Sequence, residues 1–186
     1  MKKRKNSNYK ISFDIAEKKG ISKRTVIIIA AALTLAIILG VIIYAISTAF
    51  VSEDFTVYDI AGRRVNLSDF KGKPIIVNFW ATWCKYCVLE MPTFEDMYGR
   101  YGDDISFLMV NATFDGETRE KAIEFYADGG YSFPIYFDSD SDATSTYAVD
   151  AYPITFFFDA RGKLLKTHTG MITEEELDEE IRKMLE

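Results

Sequence analysis

The feature that most limits how this chain can fold is an uncharged run of 21 residues from Val26 to Ile46. Its only mildly polar members are Thr34 and Tyr44. As a helix, at about 1.5 Å per residue, the run extends roughly 31 Å, close to the roughly 30 Å hydrocarbon core of a bilayer. The sequence therefore predicts a transmembrane helix over residues 25–47, with separate segments before and after it.

The charges on the two sides of this run predict its orientation. Residues 1–24 hold nine basic and two acidic side chains, a net charge of +7, and the rest of the chain holds 13 basic and 26 acidic ones, a net charge of −13. Basic flanks stay on the cytoplasmic side. We therefore expect a single-pass cell-membrane protein with a basic cytoplasmic tail (1–24), an anchor (25–47) and one extracytoplasmic domain (48–186). Its acidic charge argues against nucleic-acid binding.

A cleaved signal peptide is the alternative to a retained anchor. The apolar region of a signal peptide usually has about 7 to 15 residues, so the length of the run favours an anchor. The segment Ser47-Thr48-Ala49 nevertheless resembles a cleavage site with small residues. Neither cysteine of the chain lies near the run, so a lipid anchor has no attachment point there.

After residue 52, short apolar runs alternate with amphipathic stretches, which is typical of an α/β fold with one sheet covered by helices. Two short strands around Ala61-Gly62 predict an N-terminal β-hairpin. The run Ile75 to Trp80 is apolar almost throughout and predicts a central strand buried on both faces. Further strands are predicted over 105–111, 134–137, 154–158 and 163–168, and helices over 84–101, 118–128, 142–149 and from Thr173, whose Glu176 completes a capping box.

The two cysteines of the chain lie in Trp83-Cys84-Lys85-Tyr86-Cys87, directly after the predicted central strand and at the start of a predicted helix. One helical turn brings residues three apart to the same face, within reach of a disulfide. The free N–H groups and the positive end of the helix dipole stabilise a thiolate on the first sulfur. We therefore predict that Cys84 is a nucleophile and that Cys87 resolves the mixed disulfide.

Two other uses of the cysteine pair remain open. A structural disulfide suits an extracytoplasmic domain, but so short a loop adds little stability. A zinc site needs about four ligands, whereas the chain offers two cysteines and one histidine, His168, which we expect to be an ordinary strand residue. We expect neither a metal nor another cofactor.

Two segments resemble the TlpA/ResA-like, membrane-anchored thioredoxin-like proteins. The first runs from Asn78 to Pro92 and contains the cysteines, and the second runs from Ala151 to Asp159, followed by Gly162-Lys163. The resemblance covers the chain from Ser52 onward. It implies a thioredoxin-like fold, with a central mixed sheet flanked by helices and the hairpin as an extension, and disulfide exchange with secreted or membrane-bound partners.

The resemblance also implies roles for single residues. A cis peptide at Tyr152-Pro153 would set the Tyr152 backbone beside the sulfurs, although a trans proline opening a strand is the alternative. Glu90 would take the proton from Cys87 if it is buried with a raised pKa, unless it is a surface carboxylate. Asn78 stands where ordinary thioredoxins have a buried aspartate, and an amide accepts no proton.

The remaining active-site neighbours surround the sulfurs. Trp83 is expected to shield them, and Lys85 and Tyr86 fill the positions between the cysteines, where related enzymes tune the redox potential; Lys85 also favours the thiolate. Trp80 and the run 156–158 are expected in the core.

The residues between and around the cysteines do not fix the direction of electron flow. Our leading hypothesis is a protein-disulfide reductase that receives electrons from a membrane electron-transfer protein. By resemblance alone, its clients would be exported proteins such as apocytochrome c. An oxidase that introduces disulfides is the alternative within the same chemistry, and a non-catalytic anchored binding domain is the alternative from another class. A peroxidase is less favoured, because a dithiol within one helical turn suits protein disulfides better.

Overall fold

The computed structural model describes residues 22–49, 52–114 and 116–186, and the chain divides into two compact units, Met1–Ser47 and Thr48–Glu186. Most of the predicted cytoplasmic tail, residues 1–21, lies outside the described residues. Helix α1 (Lys23–Ala49) begins the described part. Its segment Arg24–Tyr44 has exposed apolar side chains and is long and apolar enough to cross a membrane. Such a helix near the N-terminus serves either as an anchor or as a signal sequence.

The second unit is built around one mixed sheet, and its described residues form seven strands, four α-helices and one short 3-10 helix (Leu67–Phe70). The elements in chain order are β1 (Thr56–Asp59), β2 (Arg64–Asn66), β3 (Ile75–Trp80), α2 (Lys85–Tyr101), β4 (Ser106–Asn111), α3 (Arg119–Gly129), β5 (Ile135–Phe137), α4 (Asp142–Thr146), β6 (Ile154–Phe158), β7 (Leu164–Thr169) and α5 (Glu174–Leu185).

The strand order is β2-β1-β5-β4-β3-β6-β7. Strands β3, β4 and β5 run parallel to one another. The other pairings are antiparallel: β1 with β2, β1 with β5, β3 with β6, and β6 with β7. Strand β3 lies inside the sheet with all six residues buried, as its apolar run predicts. The N-terminal hairpin is also confirmed, because β1 and β2 pair around the turn at Gly62, whose φ is 79°.

The core fills both faces of the sheet. Along β3, the alternation of side chains sends Ile76 and Trp80 to the face that also holds the buried residues of α2 and α5. Ile75, Val77 and Phe79 lie on the opposite face, in a second apolar cluster. Trp80 and the aromatic residues of β6 are buried, as predicted.

The ends of two helices show where the sequence-based prediction held and where it did not. Thr173 caps α5, and its capping box with Glu176 is present as predicted. The helix predicted over 142–149 is shorter in the structure, because α4 ends at Thr146. Ala148 has a φ of 48°, and a left-handed residue does not continue a right-handed helix.

Candidate active site at the Cys84–Cys87 disulfide

The cysteine pair lies at the end of β3, where the chain enters α2. Cys84 is the N-cap residue of α2, with extended backbone angles, and its sulfur accepts a hydrogen bond of 3.2 Å from the backbone N–H of Cys87. The two cysteines are joined in a disulfide with a Cα–Cα distance of 5.3 Å. Cys84 is 6% exposed and Cys87 is fully buried. Cys84 is therefore the more accessible cysteine of the pair, and it lies at the helix terminus that favours a thiolate.

Several aromatic side chains lie near the cysteine pair. Trp83 is 49% exposed, and its ring meets that of Tyr152 edge-on, at a centroid distance of 5.8 Å. The ring of Phe114 also packs against that of Tyr152, at a centroid distance of 5.8 Å. Tyr86 and Lys85 are exposed on the first turn of α2. We call Trp83, Tyr86, Phe114 and Tyr152 the aromatic collar; the first three side chains are exposed, whereas Tyr152 is half-buried.

The peptide bond between Tyr152 and Pro153 is cis, as the resemblance implied. Pro153 directly precedes β6, and its carbonyl accepts a hydrogen bond of 2.8 Å from the N–H of Gly170. The Tyr152 hydroxyl is buried without a hydrogen-bond partner, and burial raises its pKa. The Tyr152 side chain therefore stays neutral at physiological pH.

Glu90 is a buried carboxylate rather than a surface one, since only 1% of it is exposed. It follows Cys87 by three residues on α2, so the two side chains share a helix face. Its Oε1 accepts from Asn78 Nδ2 at 2.8 Å, and its Oε2 accepts from the N–H of Ile172 at 2.9 Å. Burial raises the pKa of Glu90 to about 7, although both hydrogen bonds oppose this shift. The group can therefore gain and lose a proton near neutral pH.

Asn78 is fully buried on β3 and fixes the position of the Glu90 carboxylate. Besides its bond to Glu90, its Nδ2 donates to Thr155 Oγ1 at 3.1 Å, while its Oδ1 is buried without a partner. An aspartate at this position would place two carboxylates in contact. The amide therefore leaves Glu90 as the single carboxylate of this buried pair.

A second buried carboxylate, which the sequence reasoning missed, holds the turn before Cys84. Glu117, 5% exposed, accepts from the Thr82 N–H at 3.1 Å, from the Thr82 hydroxyl at 2.6 Å and from Asn111 Nδ2 at 2.8 Å. The available signal was Asn111, since an amide at the end of an apolar strand needs a buried partner. Glu117 thus supports the backbone that delivers Cys84 to the helix terminus.

The described residues offer no evident metal centre, because no group of three or more His, Cys, Asp or Glu side chains converges within 22–49, 52–114 and 116–186. His168 lies half-buried on β7, away from any such group, with its Nε2 3.3 Å from the Met171 carbonyl oxygen. The expectation that the protein needs no cofactor stays a prediction. The roles assigned to Cys84, Cys87, Glu90 and Pro153 are likewise predictions, now with a defined geometry.

Comparison with known proteins gives consistent results. Residues 51–167 match the model of the AhpC/TSA family. The chain is 36% identical over 131 residues to the thioredoxin-like protein YneN of Bacillus subtilis, covering 70% of this chain and 76% of YneN. It is 34% identical over 138 residues to the thiol-disulfide oxidoreductase ResA of Geobacillus thermodenitrificans, covering 74% and 78%. The crystal structure of an exposed lipoprotein thioredoxin of Streptococcus pneumoniae is similar with a TM-score of 0.63 at 30% identity, covering 70% of this chain and 99% of that one.

Proposed function

This chain belongs to the AhpC/TSA family and is a thioredoxin-like thiol–disulfide oxidoreductase, and from this premise we propose that it reduces disulfides of exported proteins through Cys84 and Cys87. The observation that carries the proposal is the position of the Cys84 sulfur. It lies at the N-cap of α2, accepts the Cys87 N–H at 3.2 Å and is the more exposed sulfur of the pair.

In the first step, the reduced enzyme attacks the client. The Cys84 thiolate, stabilised by the helix terminus, bonds to one sulfur of the client disulfide, and the client S–S bond breaks. The displaced client sulfur leaves as a thiolate and takes a proton from solvent. Enzyme and client are then joined by a mixed disulfide, and enzyme and client together hold the same number of electrons as before.

In the second step, Cys87 resolves the mixed disulfide. Its thiol loses a proton and attacks the Cys84 sulfur, so that the second client sulfur leaves. The enzyme becomes the Cys84–Cys87 disulfide, and the client gains two electrons. Glu90 is our candidate acceptor for the Cys87 proton, because it is buried on the same helix face with a pKa raised to about 7.

The residues around the sulfurs position the client. In this proposal, the ring of Trp83 shields the disulfide, and the cis Pro153 sets the Tyr152 backbone beside it. Lys85 and Tyr86, both exposed between the cysteines, tune the stability of the thiolate. The exposed apolar area of the collar supports a protein client over a small hydrophilic thiol.

The cellular location is also a proposal. Segment Arg24–Tyr44 supports a retained single-pass anchor in the cell membrane, and the basic residues before it support a cytoplasmic N-terminus. In this arrangement residues 1–24 are the cytoplasmic tail, 25–47 the anchor and 48–186 the extracytoplasmic domain. Electrons would come from a membrane electron-transfer protein, and apocytochrome c is the client class suggested by the TlpA/ResA-like resemblance.

The test combines partner trapping with a redox measurement. A Cys87→Ser variant should accumulate mixed disulfides with exported proteins, whereas a Cys84→Ser variant should trap none and should lose insulin reduction. Insulin reduction that persists in Cys84→Ser would favour a non-catalytic binding domain. A reduction potential near −120 mV, the oxidant end of the known range, would overturn the reductase assignment in favour of a disulfide-forming oxidase.

A further inference from the structure

The peptide group between Met171 and Ile172 links His168 to the buried carboxylate of Glu90. The N–H of Ile172 donates to Glu90 Oε2 at 2.9 Å, and the carbonyl of the same peptide unit, that of Met171, lies 3.3 Å from His168 Nε2. We propose that His168 is a positioning residue that acts through the Met171–Ile172 peptide and sets how tightly Glu90 holds its proton. The inference rests on the proposed role of Glu90 as a proton acceptor.

The sheet register brings His168 to the correct face for this role. Asn78 on β3 pairs with Thr155 on β6, and Thr155 pairs with His168 on β7. Paired residues on neighbouring strands project from the same face. The three side chains therefore form one row across three strands, in which Asn78 contacts Glu90 directly and His168 reaches it through the peptide.

The coupling follows from the polarity of a peptide group. With a proton on Nε2, His168 donates to the Met171 carbonyl and polarises the peptide, which makes the Ile172 N–H a stronger donor. That N–H stabilises the charged form of Glu90 and lowers its pKa against the effect of burial. Removal of the His168 donor should weaken this stabilisation, so that Glu90 holds its proton more tightly.

A through-space effect of nearby charges on the pKa of Glu90 is the alternative explanation. On α5, Glu176 lies within electrostatic range of His168 and Lys166, and Glu180 Oε1 lies 2.9 Å from Lys166 Nζ. On α2, Cys87 shares a helix face with Glu90 and becomes a titratable thiol once the disulfide is reduced. A protonated His168 would also act on Glu90 through space, by its charge. A neutral side chain that keeps an N–H donor separates the two explanations.

The experiment measures the protonation midpoint of Glu90 in the reduced full-length protein in detergent micelles. The readout is the infrared C=O stretch of the protonated acid, assigned by its loss in Glu90→Gln. His168→Leu removes the donor, and His168→Gln keeps a neutral one. Thr167→Val changes an exposed neighbour on the opposite face of β7 and is the control.

We expect His168→Leu to raise the midpoint by on the order of 0.3 pH unit, about a twofold rise in proton affinity. His168→Gln and Thr167→Val should keep the wild-type midpoint. An unchanged midpoint in His168→Leu would overturn the proposal, and so would an equal shift in His168→Gln, which would assign the effect to charge or packing. Because the readout is a titration, it is independent of the insulin-reduction test of the proposed function.

Discussion

Asn78 of β3 donates its side-chain amide to Glu90 of α2 at 2.8 Å, and this bond joins the two elements that meet at the cysteine pair. Both residues are almost completely buried. Burial raises the free energy of a charged carboxylate in this apolar site, whereas the hydrogen bonds from the Ile172 N–H and from Asn78 lower it, and the balance sets the pKa of Glu90 to about 7. The pair therefore places a proton acceptor that works near neutral pH one helical turn after Cys87.

Glu90→Gln should change the pH profile of thiol alkylation in the reduced protein. The substitution removes a nearby negative charge, so the thiolates should form at lower pH, and the inflection near pH 7 should disappear. The measurement is the rate of iodoacetamide alkylation against pH. Asp96→Asn, an exposed carboxylate on the same helix, is the control and should keep the wild-type profile. A profile identical to wild type in Glu90→Gln would remove Glu90 from the mechanism.

The stability of the oxidised protein should fall as the pH rises through the titration of Glu90. Its pKa is about 7 in the folded protein against 4.5 for an unperturbed group, so the folded state holds the proton more tightly. The resulting stabilisation is complete below about pH 4.5 and is lost by pH values above 7. Glu90→Gln should therefore gain on the order of 3 kcal/mol relative to wild type between pH 4 and pH 8. Urea unfolding at both pH values measures this, and a constant difference would contradict it.

Asn78→Asp should make the site strongly dependent on pH. Two carboxylates in contact within the core cannot both be charged without a large cost, so one of them should stay protonated above pH 7. We expect a loss of stability of about 2–4 kcal/mol at pH 8 and a smaller loss at pH 5. Thr155→Val, which removes the other partner of Asn78, should lose stability equally at both values. Equal losses for Asn78→Asp at both pH values would refute this prediction.

Glu117→Ala should weaken the turn before the cysteines. The variant leaves the polar groups of Thr82 and Asn111 without their buried acceptor, at a cost of about 2–4 kcal/mol in the free energy of unfolding. Glu117→Gln keeps one acceptor oxygen and should cost less than half as much. Chemical denaturation at pH 7 compares the two variants. If both lose the same stability, the hydrogen bonds of Glu117 are not what holds the turn.

Trp83→Ala should slow the reduction of protein disulfides more than that of a small disulfide. The ring is half-exposed against Tyr152, so its loss removes apolar contact area from the collar without opening the core. An exposed aromatic anchor contributes about 1–2 kcal/mol to binding, so kcat/KM for insulin should fall about tenfold. The rate with glutathione disulfide should change less than threefold. Equal losses with both substrates would contradict a contribution of Trp83 to the binding of the protein client.

The sequence predicted much of the architecture, because short residue patterns determine where many strands and helices form. The apolar run of β3 indicated a strand buried on both faces, and the spacing of the cysteines after it indicated the start of α2. The capping box of Thr173 and Glu176 predicted where α5 begins. The helix over 142–149 was overestimated, because the left-handed Ala148 that follows α4 has no signature in the residue pattern.

The residue pattern alone indicated an apolar helix long enough to cross a membrane and a dithiol at a helix terminus. The tertiary structure decided which carboxylates serve that dithiol. Glu90 becomes buried because α2 packs on the sheet over Asn78, and Glu117 reaches Thr82 across 35 positions of the chain. The His168 contact depends on the pairing of β6 with β7. Proton affinity is set by burial and by hydrogen-bond partners, and both come from residues that are distant in sequence and meet only when the sheet is complete.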